Sequence, residues 1–180
     1  MTHPFSWKRI AAASLFLALA LTGCRRKSAE NAEQSAEEPP RMASTVHTGD
    51  SKAESQLVNG FYGIEQNAWR WTAQRFSVVL KPPAGAAQKG ASLNVQLAVP
   101  DAILGKLKTV SLSATIGTTS LPPETYSNSG SYAYIRDVPA SVLGGDTVRI
   151  DFQLDKALPP TGGDQRELGI IVNSVGLDGK

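Results

Sequence analysis

Three stretches of this chain alternate apolar and polar residues with a period of two, and that period suits one kind of backbone. Leu93, Val95, Leu97 and Val99 interleave with Ser92, Asn94, Gln96 and Ala98. Val110, Leu112, Ala114 and Ile116 interleave with Thr109, Ser111, Ser113 and Thr115, and Val148, Ile150, Phe152 and Leu154 with Thr147, Arg149, Asp151 and Gln153. Successive side chains of a strand point to opposite faces, so each stretch predicts a strand with one face on a core and one toward water. Phe76, Val78 and Leu80 predict a further strand, Tyr132 to Ile135 another, and the apolar run from Leu168 to Val175 one that lies centrally, covered on both faces. Pro82-Pro83, Pro100-Asp101, Pro122-Pro123, Gly144-Gly145-Asp146 and the run from Pro159 to Gly163 supply turn chemistry between them. Val138 to Leu143 suits a single helical turn. No long amphipathic helix competes over the 124 residues from Leu57 onward, and roughly seven to nine short strands without helical crossovers predict an all-β, antiparallel β-sandwich.

Before Leu57 the composition changes. Lys8 and Arg9 precede an apolar run from Ile10 to Leu21 in which Ser14 is the only polar side chain. Twelve helical residues rise about 18 Å, well short of the roughly 30 Å needed to span a bilayer, so the run reads as the core of a signal peptide. It ends in Leu21-Thr22-Gly23-Cys24, which resembles the bacterial lipobox. That resemblance implies cleavage before Cys24, a diacylglycerol on its thiol, and an N-acyl chain of the palmitate type on the new amino terminus. The protein would then be held to a membrane by lipid and not by a helix. Cys24 is the only cysteine in the chain, so it has no disulfide partner to explain it. No aspartate follows it, which favours the outer membrane of a two-membrane bacterium. No other cofactor is expected.

From Arg25 to Gln56 the chain is rich in Ala, Glu, Ser and Pro and nearly free of large apolar side chains, which predicts a flexible tether with a span of roughly 30 Å. The composition from Ala29 to Glu38 also suits a short helix. The division is therefore 1–23 signal peptide, 24–56 lipidated cysteine and tether, and 57–180 β-sandwich. From Cys24 onward Lys plus Arg and Asp plus Glu balance at 16 − 16 = 0, which argues against a nucleic-acid partner. Arg25, Arg26 and Lys27 would lie beside anionic head groups.

Gly60-Phe61-Tyr62-Gly63-Ile64-Glu65, followed by Ala68-Trp69-Arg70-Trp71-Thr72, resembles the opening of a jelly-roll-like domain attached to bacterial glycosyltransferases and other envelope sugar-handling proteins. Asp164-Gln165-Arg166-Glu167-Leu168-Gly169 is similar to the closing motif of such domains. The resemblance brackets the domain and implies a sandwich with carbohydrate in its surroundings. The chain lacks any transferase domain.

Trp69 and Trp71 are two apart and share a strand face, with Arg70 on the other. Together with Tyr62 they are candidates to stack on a sugar ring, although tryptophans leading into a core strand more often pack than bind. Glu65 and Asp164 could be the paired acids of a glycosidase, which requires one raised pKa. Arg166 between them would instead form a structural clasp and depress both carboxylates. The only histidines, His3 and His47, fall in the signal peptide and tether, so the expected sandwich lacks His and Cys for a triad or a zinc site. Asp146, Asp151 and Asp155 fit no calcium loop, and no phosphate-cradling glycine motif appears. No catalytic or metal-ligating residue is assigned. The sequence leaves three roles in order: a non-catalytic binding or assembly module of an envelope lipoprotein, a carbohydrate binder, and a carboxylate-based glycoside hydrolase. The partners are the membrane through the lipid, and an envelope polysaccharide or envelope protein.

Overall fold

The alternating stretches form strands whose apolar members all face one interior. The computed structural model describes residues 42–180, in which nine strands run β1 (Thr45–His47), β2 (Leu57–Glu65), β3 (Trp69–Leu80), β4 (Ala91–Val99), β5 (Val110–Ile116), β6 (Thr119–Tyr126), β7 (Gly130–Val138), β8 (Val148–Leu154) and β9 (Ile171–Gly179). Two short helices, α1 (Ala86–Lys89) and α2 (Asp101–Leu107), and 3-10 turns at Ser51–Ser55 and Ala140–Val142 complete the secondary structure. Cys24, the segment expected to be a signal peptide and the suggested helix near Ala29 lie outside the described residues.

Every pairing is antiparallel, and β3 belongs to two layers. Its first residues pair with β9, Arg70 opposite Val172 and Trp71 opposite Ile171, and β9 continues the layer through β4 to β7. Its last six residues, Arg75 to Leu80, pair with β8, which leads to β5 and β6. The strand thus leaves one sheet of the sandwich and enters the other near Gln74. A split in the ladder strands backbone groups that need other partners. Here Gln74 N donates to Glu167 Oε2 at 3.1 Å, while the Gln74 side-chain amide donates to the carbonyls of Leu154 at 3.1 Å and Asp155 at 3.0 Å.

At the opposite margin side chains join the edges. Tyr134 Oη donates to the Pro122 carbonyl at 2.8 Å, and Arg136 donates to the carbonyls of Pro122 and Pro123 at 2.7 and 3.1 Å. The Pro122-Pro123 pair, expected in a turn, sits inside β6. The β5–β6 register shifts between Leu112–Glu124 and Ala114–Leu121, so the two prolines fall at an irregularity of an edge strand, where their missing N–H groups are tolerated. Between the sheets Phe76 stacks on Phe152 at 4.8 Å and meets the edge of Phe61 at 5.4 Å, and Tyr134, Leu93, Val95, Ile150 and Leu154 are fully buried.

The folded part begins earlier than Leu57. β1 pairs with β9, Val46 is buried, and Thr48 donates its N–H and its hydroxyl to Asn173 and Val172. Gln56 is buried, and its side-chain amide clasps the Ala43 backbone at 2.9 and 3.0 Å. Residues 43–56 are therefore part of the sandwich and not of a tether. His47, also assigned to the tether, stands exposed on β1. Two further expectations change. The segment after Pro100 forms helix α2, which buries Ile103 and Leu104, where Pro100-Asp101 alone predicts a turn. The last strand starts at Ile171, and although it is central in its sheet, Ile171, Asn173 and Ser174 remain partly open on one side.

Candidate functional site

The hairpin joining β2 to β3 sets the site. Gln66 and Asn67 take left-handed conformations at φ 50° and 54°, and Ala68 N donates to the Glu65 carbonyl at 3.1 Å. Two successive left-handed residues make the tight turn whose twist matches a hairpin. It seats Glu65 directly opposite Trp69. Even-numbered positions of β3 (Arg70, Thr72, Phe76, Val78) are buried, so Trp69, Trp71 and Arg75 lie on the outer face.

Trp69 and Trp71 meet edge to face, with ring centroids 6.2 Å apart and planes at 80°. Both are half-buried, and only Trp71 packs against the core cluster. Trp71 thus keeps part of the packing role the sequence favours, while Trp69 does not, and neither is fully buried. The interior position between them belongs to Arg70, 5% exposed. Its Nε donates to the Thr48 carbonyl at 2.8 Å, its Nη1 to the Tyr62 carbonyl at 3.0 Å, and its Nη2 to Glu54. Sequence reasoning placed Arg70 on the opposite face from the tryptophans but did not see that it pins the N-terminal segment to β2.

Arg166 is brought together with both Glu65 and Asp164. Its Nη1 donates to Glu65 Oε1 at 2.8 Å, and its Nε and Nη2 grip the Asp164 carboxylate at 3.0 and 2.9 Å. The Asp164 oxygen also accepts from the Arg166 backbone N–H at 2.9 Å. These hydrogen bonds hold the Asp164 carboxyl below the usual carboxylate range, the side-chain bond from Arg166 first. The carboxylates raise the arginine in turn, Asp164 before Glu65. β2 and β9 flank opposite edges of β3, so Arg166, just ahead of β9, reaches across β3 to find its partner on β2. On the way its guanidinium lies 5.3 Å from the Tyr62 ring centroid, and Tyr62 Oη donates to the Glu167 carbonyl at 2.8 Å. Tyr62, on the strand paired with β3, lies near Trp69 and Trp71 in an aromatic patch bordered by the salt-bridged triad of Glu65, Arg166 and Asp164. The triad side chains are 34% to 38% exposed, which makes it a half-open cluster and not a buried one.

Farther along the same outer face lies a groove with a cavity of about 390 Å³, lined by Asn59, Arg75, Ser77, Thr115, Arg149, Asp151 and Gln153, with Phe76 and Phe152 at its floor. The sequence showed Arg149, Asp151 and Gln153 sharing the polar side of one strand. It could not show that β3, β8 and β5 are neighbours. Asp151 accepts from Arg149 Nε at 2.8 Å and Asp155 from Ser111 N at 2.7 Å. Among the described residues no group of three or more His, Cys, Asp or Glu side chains is placed to hold a metal ion.

No protein-family model matches the chain, and no curated protein matches it. Among solved structures, one described as "CBM4 structure and function" is similar at a TM-score of 0.35 and 10% identity, over 74% of this chain and 84% of that one. The fold is an antiparallel β-sandwich on the strength of its own strand pairing.

Proposed function

We propose that this chain is an envelope lipoprotein, held to the membrane by a diacylglycerol and an N-acyl chain on Cys24, whose β-sandwich binds carbohydrate without turning it over. The observation that carries the carbohydrate reading is the placement of Trp69 and Trp71, half-open on one outer face beside Tyr62. Indole faces offer apolar area to the C–H side of a pyranose, and the bordering carboxylates and guanidinium offer hydrogen bonds to its hydroxyls. The absence of turnover is supported by Asp164, which is kept ionised by Arg166 where a glycosidase acid needs a raised pKa.

Affinity electrophoresis of the full chain through gels containing envelope polysaccharides tests this reading. Retardation is expected for the wild type, with Trp69→Ala/Trp71→Ala running as it does in a plain gel. Equal mobility of wild type and double variant in every polysaccharide gel would remove carbohydrate from the account and leave a module for assembly with an envelope protein. The anchor is tested separately by mass spectrometry of the N-terminal peptide, where a free thiol on an uncleaved chain would overturn it.

A further inference from the structure

The outer face of the sheet formed by β2, β3, β8 and β5 carries a groove that the aromatic patch does not use. Asn59 is the register partner of Ser77, Ser77 of Asp151, and Asp151 of Thr115, so the four make one polar row across the four strands. Arg75 and Gln153 begin the next row. Neighbouring strands stand roughly 4.8 Å apart, a spacing close to that of successive rings in a pyranose chain. The cavity of about 390 Å³ falls within the roughly 300–1,000 Å³ typical of small-ligand sites.

The lining chemistry narrows the ligand. Amides, hydroxyls, guanidiniums and one carboxylate face the groove, while the rings of Phe76 and Phe152 beneath it are buried at 1% and 2% exposure. The apolar part of the lining comes from Phe76 and Phe152, which are already buried in the core, so the side chains left free to meet a ligand are polar. Arg75 and Arg149 against Asp151 leave a charge of 2 − 1 = +1. Arg149 is committed, through Nε to Asp151 at 2.8 Å and through Nη2 to Ser77 Oγ at 3.1 Å. Arg75 is exposed and takes part in none of the ion pairs among the described residues. A guanidinium presents its donors as a planar fork that matches a carboxylate, and an unoccupied fork beside sugar-like hydrogen-bonding groups selects an acidic sugar.

We propose that this groove binds a carboxylate-bearing sugar, a uronic acid unit of an acidic polysaccharide, with the Arg75 guanidinium on the carboxylate and Asn59, Thr115 and Gln153 on ring hydroxyls. The inference rests on the carbohydrate reading and names the class of glycan and a second contact region for it.

The test is titration calorimetry of the full chain in detergent with polygalacturonate, its methyl-esterified form, and dextran sulfate of matched charge. The wild type is expected to bind polygalacturonate and to lose about tenfold or more in affinity on esterification, with Arg75→Gln losing a similar factor. Arg75 is exposed and makes no ion pair among the described residues, so Arg75→Gln should melt with the wild type. Binding of the esterified polymer as tightly as the free acid, or an Arg75→Gln variant that binds like wild type, overturns the acidic-sugar site. If Trp69→Ala/Trp71→Ala still abolishes binding in that case, the carbohydrate reading survives. Dextran sulfate binding as well as polygalacturonate would reduce the groove to general polyanion attraction and also overturn the proposal. No heat with any of the three polymers overturns the acidic-sugar site, while the carbohydrate reading stands or falls on the envelope-polysaccharide gels.

Discussion

Single residues explain why the two bracketing motifs read as they do. A Cβ on Gly60, which sits at φ +72°, would fall 2.0 Å from the Arg75 carbonyl oxygen, and one on Gly169 would fall within 2.8 Å of Ala73 O and Thr72 Oγ1. Both glycines let another segment approach β3 closely, one at the β2 irregularity and one where the ladder splits. Gln66 has the opposite problem, because a side chain at φ 50° is strained. Gln66→Gly should raise stability by up to about 1 kcal/mol, less the added chain entropy of glycine, with denaturant midpoint as the measure. Arg166→Ala should cost little, since its partners are more than one-third exposed; a fall of about 2–4 °C in Tm is expected where burial would have demanded far more. The pH dependence has a definite sign. The Asp164 carboxyl is depressed in the folded state, so its contribution is present above the unfolded carboxylate value near ~3.9 and disappears as pH falls through the lower folded value. In Arg166→Ala, acid titration monitored by circular dichroism should therefore show a shallower loss of stability below about pH 4 than wild type.

At the scale of elements, legibility followed how each segment satisfies itself. β4, β5 and β8 announce themselves because each buries at least four alternating apolar residues, an alanine among them in β4 and β5. β6 was hidden because prolines on an edge look like a turn, and α2 because Pro100 begins a helix whose buried residues are only Ile103 and Leu104. β1 and the turn after it were hidden for a different reason. Only Val46 and Ala53 of residues 45–55 are buried apolar side chains, and the segment is held mainly through Thr48, Gln56 and the Arg70 guanidinium, polar contacts that a hydrophobic pattern does not record. The same logic covers the candidate site. Tyr62, Trp69, Trp71, Glu65, Asp164 and Arg166 were visible as residue types at motif positions, whereas the groove needs the β3–β8–β5 neighbourhood that only long-range pairing provides. A chain starting at Leu57 loses β1, the Gln56 amide bonds and two of the three Arg70 acceptors. Each buried donor left without a partner costs about 1–3 kcal/mol. Compared with a chain starting at Met42, it should unfold at a markedly lower urea concentration, and equal midpoints would show that the N-terminal segment adds nothing.

For the whole molecule, β3 organises both the architecture and the proposed use. Its twelve residues would extend roughly 40 Å if straight, and they carry the aromatic patch at one end and the groove toward the other, on one outer face. The chain enters the sandwich at Ala43, whose carbonyl accepts from Lys81 N just beyond the end of β3, while the tryptophans stand at its start. If cleavage falls before Cys24, the third tryptophan, Trp7, is removed, and all indole fluorescence of the mature protein comes from Trp69 and Trp71. That makes the pair its own reporter. In lipoprotein reconstituted into vesicles, the emission should be quenched by acrylamide, because both rings are half-open, and left unchanged by brominated phospholipids, because the rings lie at the far end of β3 from the entry of the chain. Addition of a bound glycan should then protect the emission from acrylamide in proportion to occupancy. Quenching by the brominated lipid would place the aromatic patch against the membrane and turn it from a sugar platform into part of the anchoring surface.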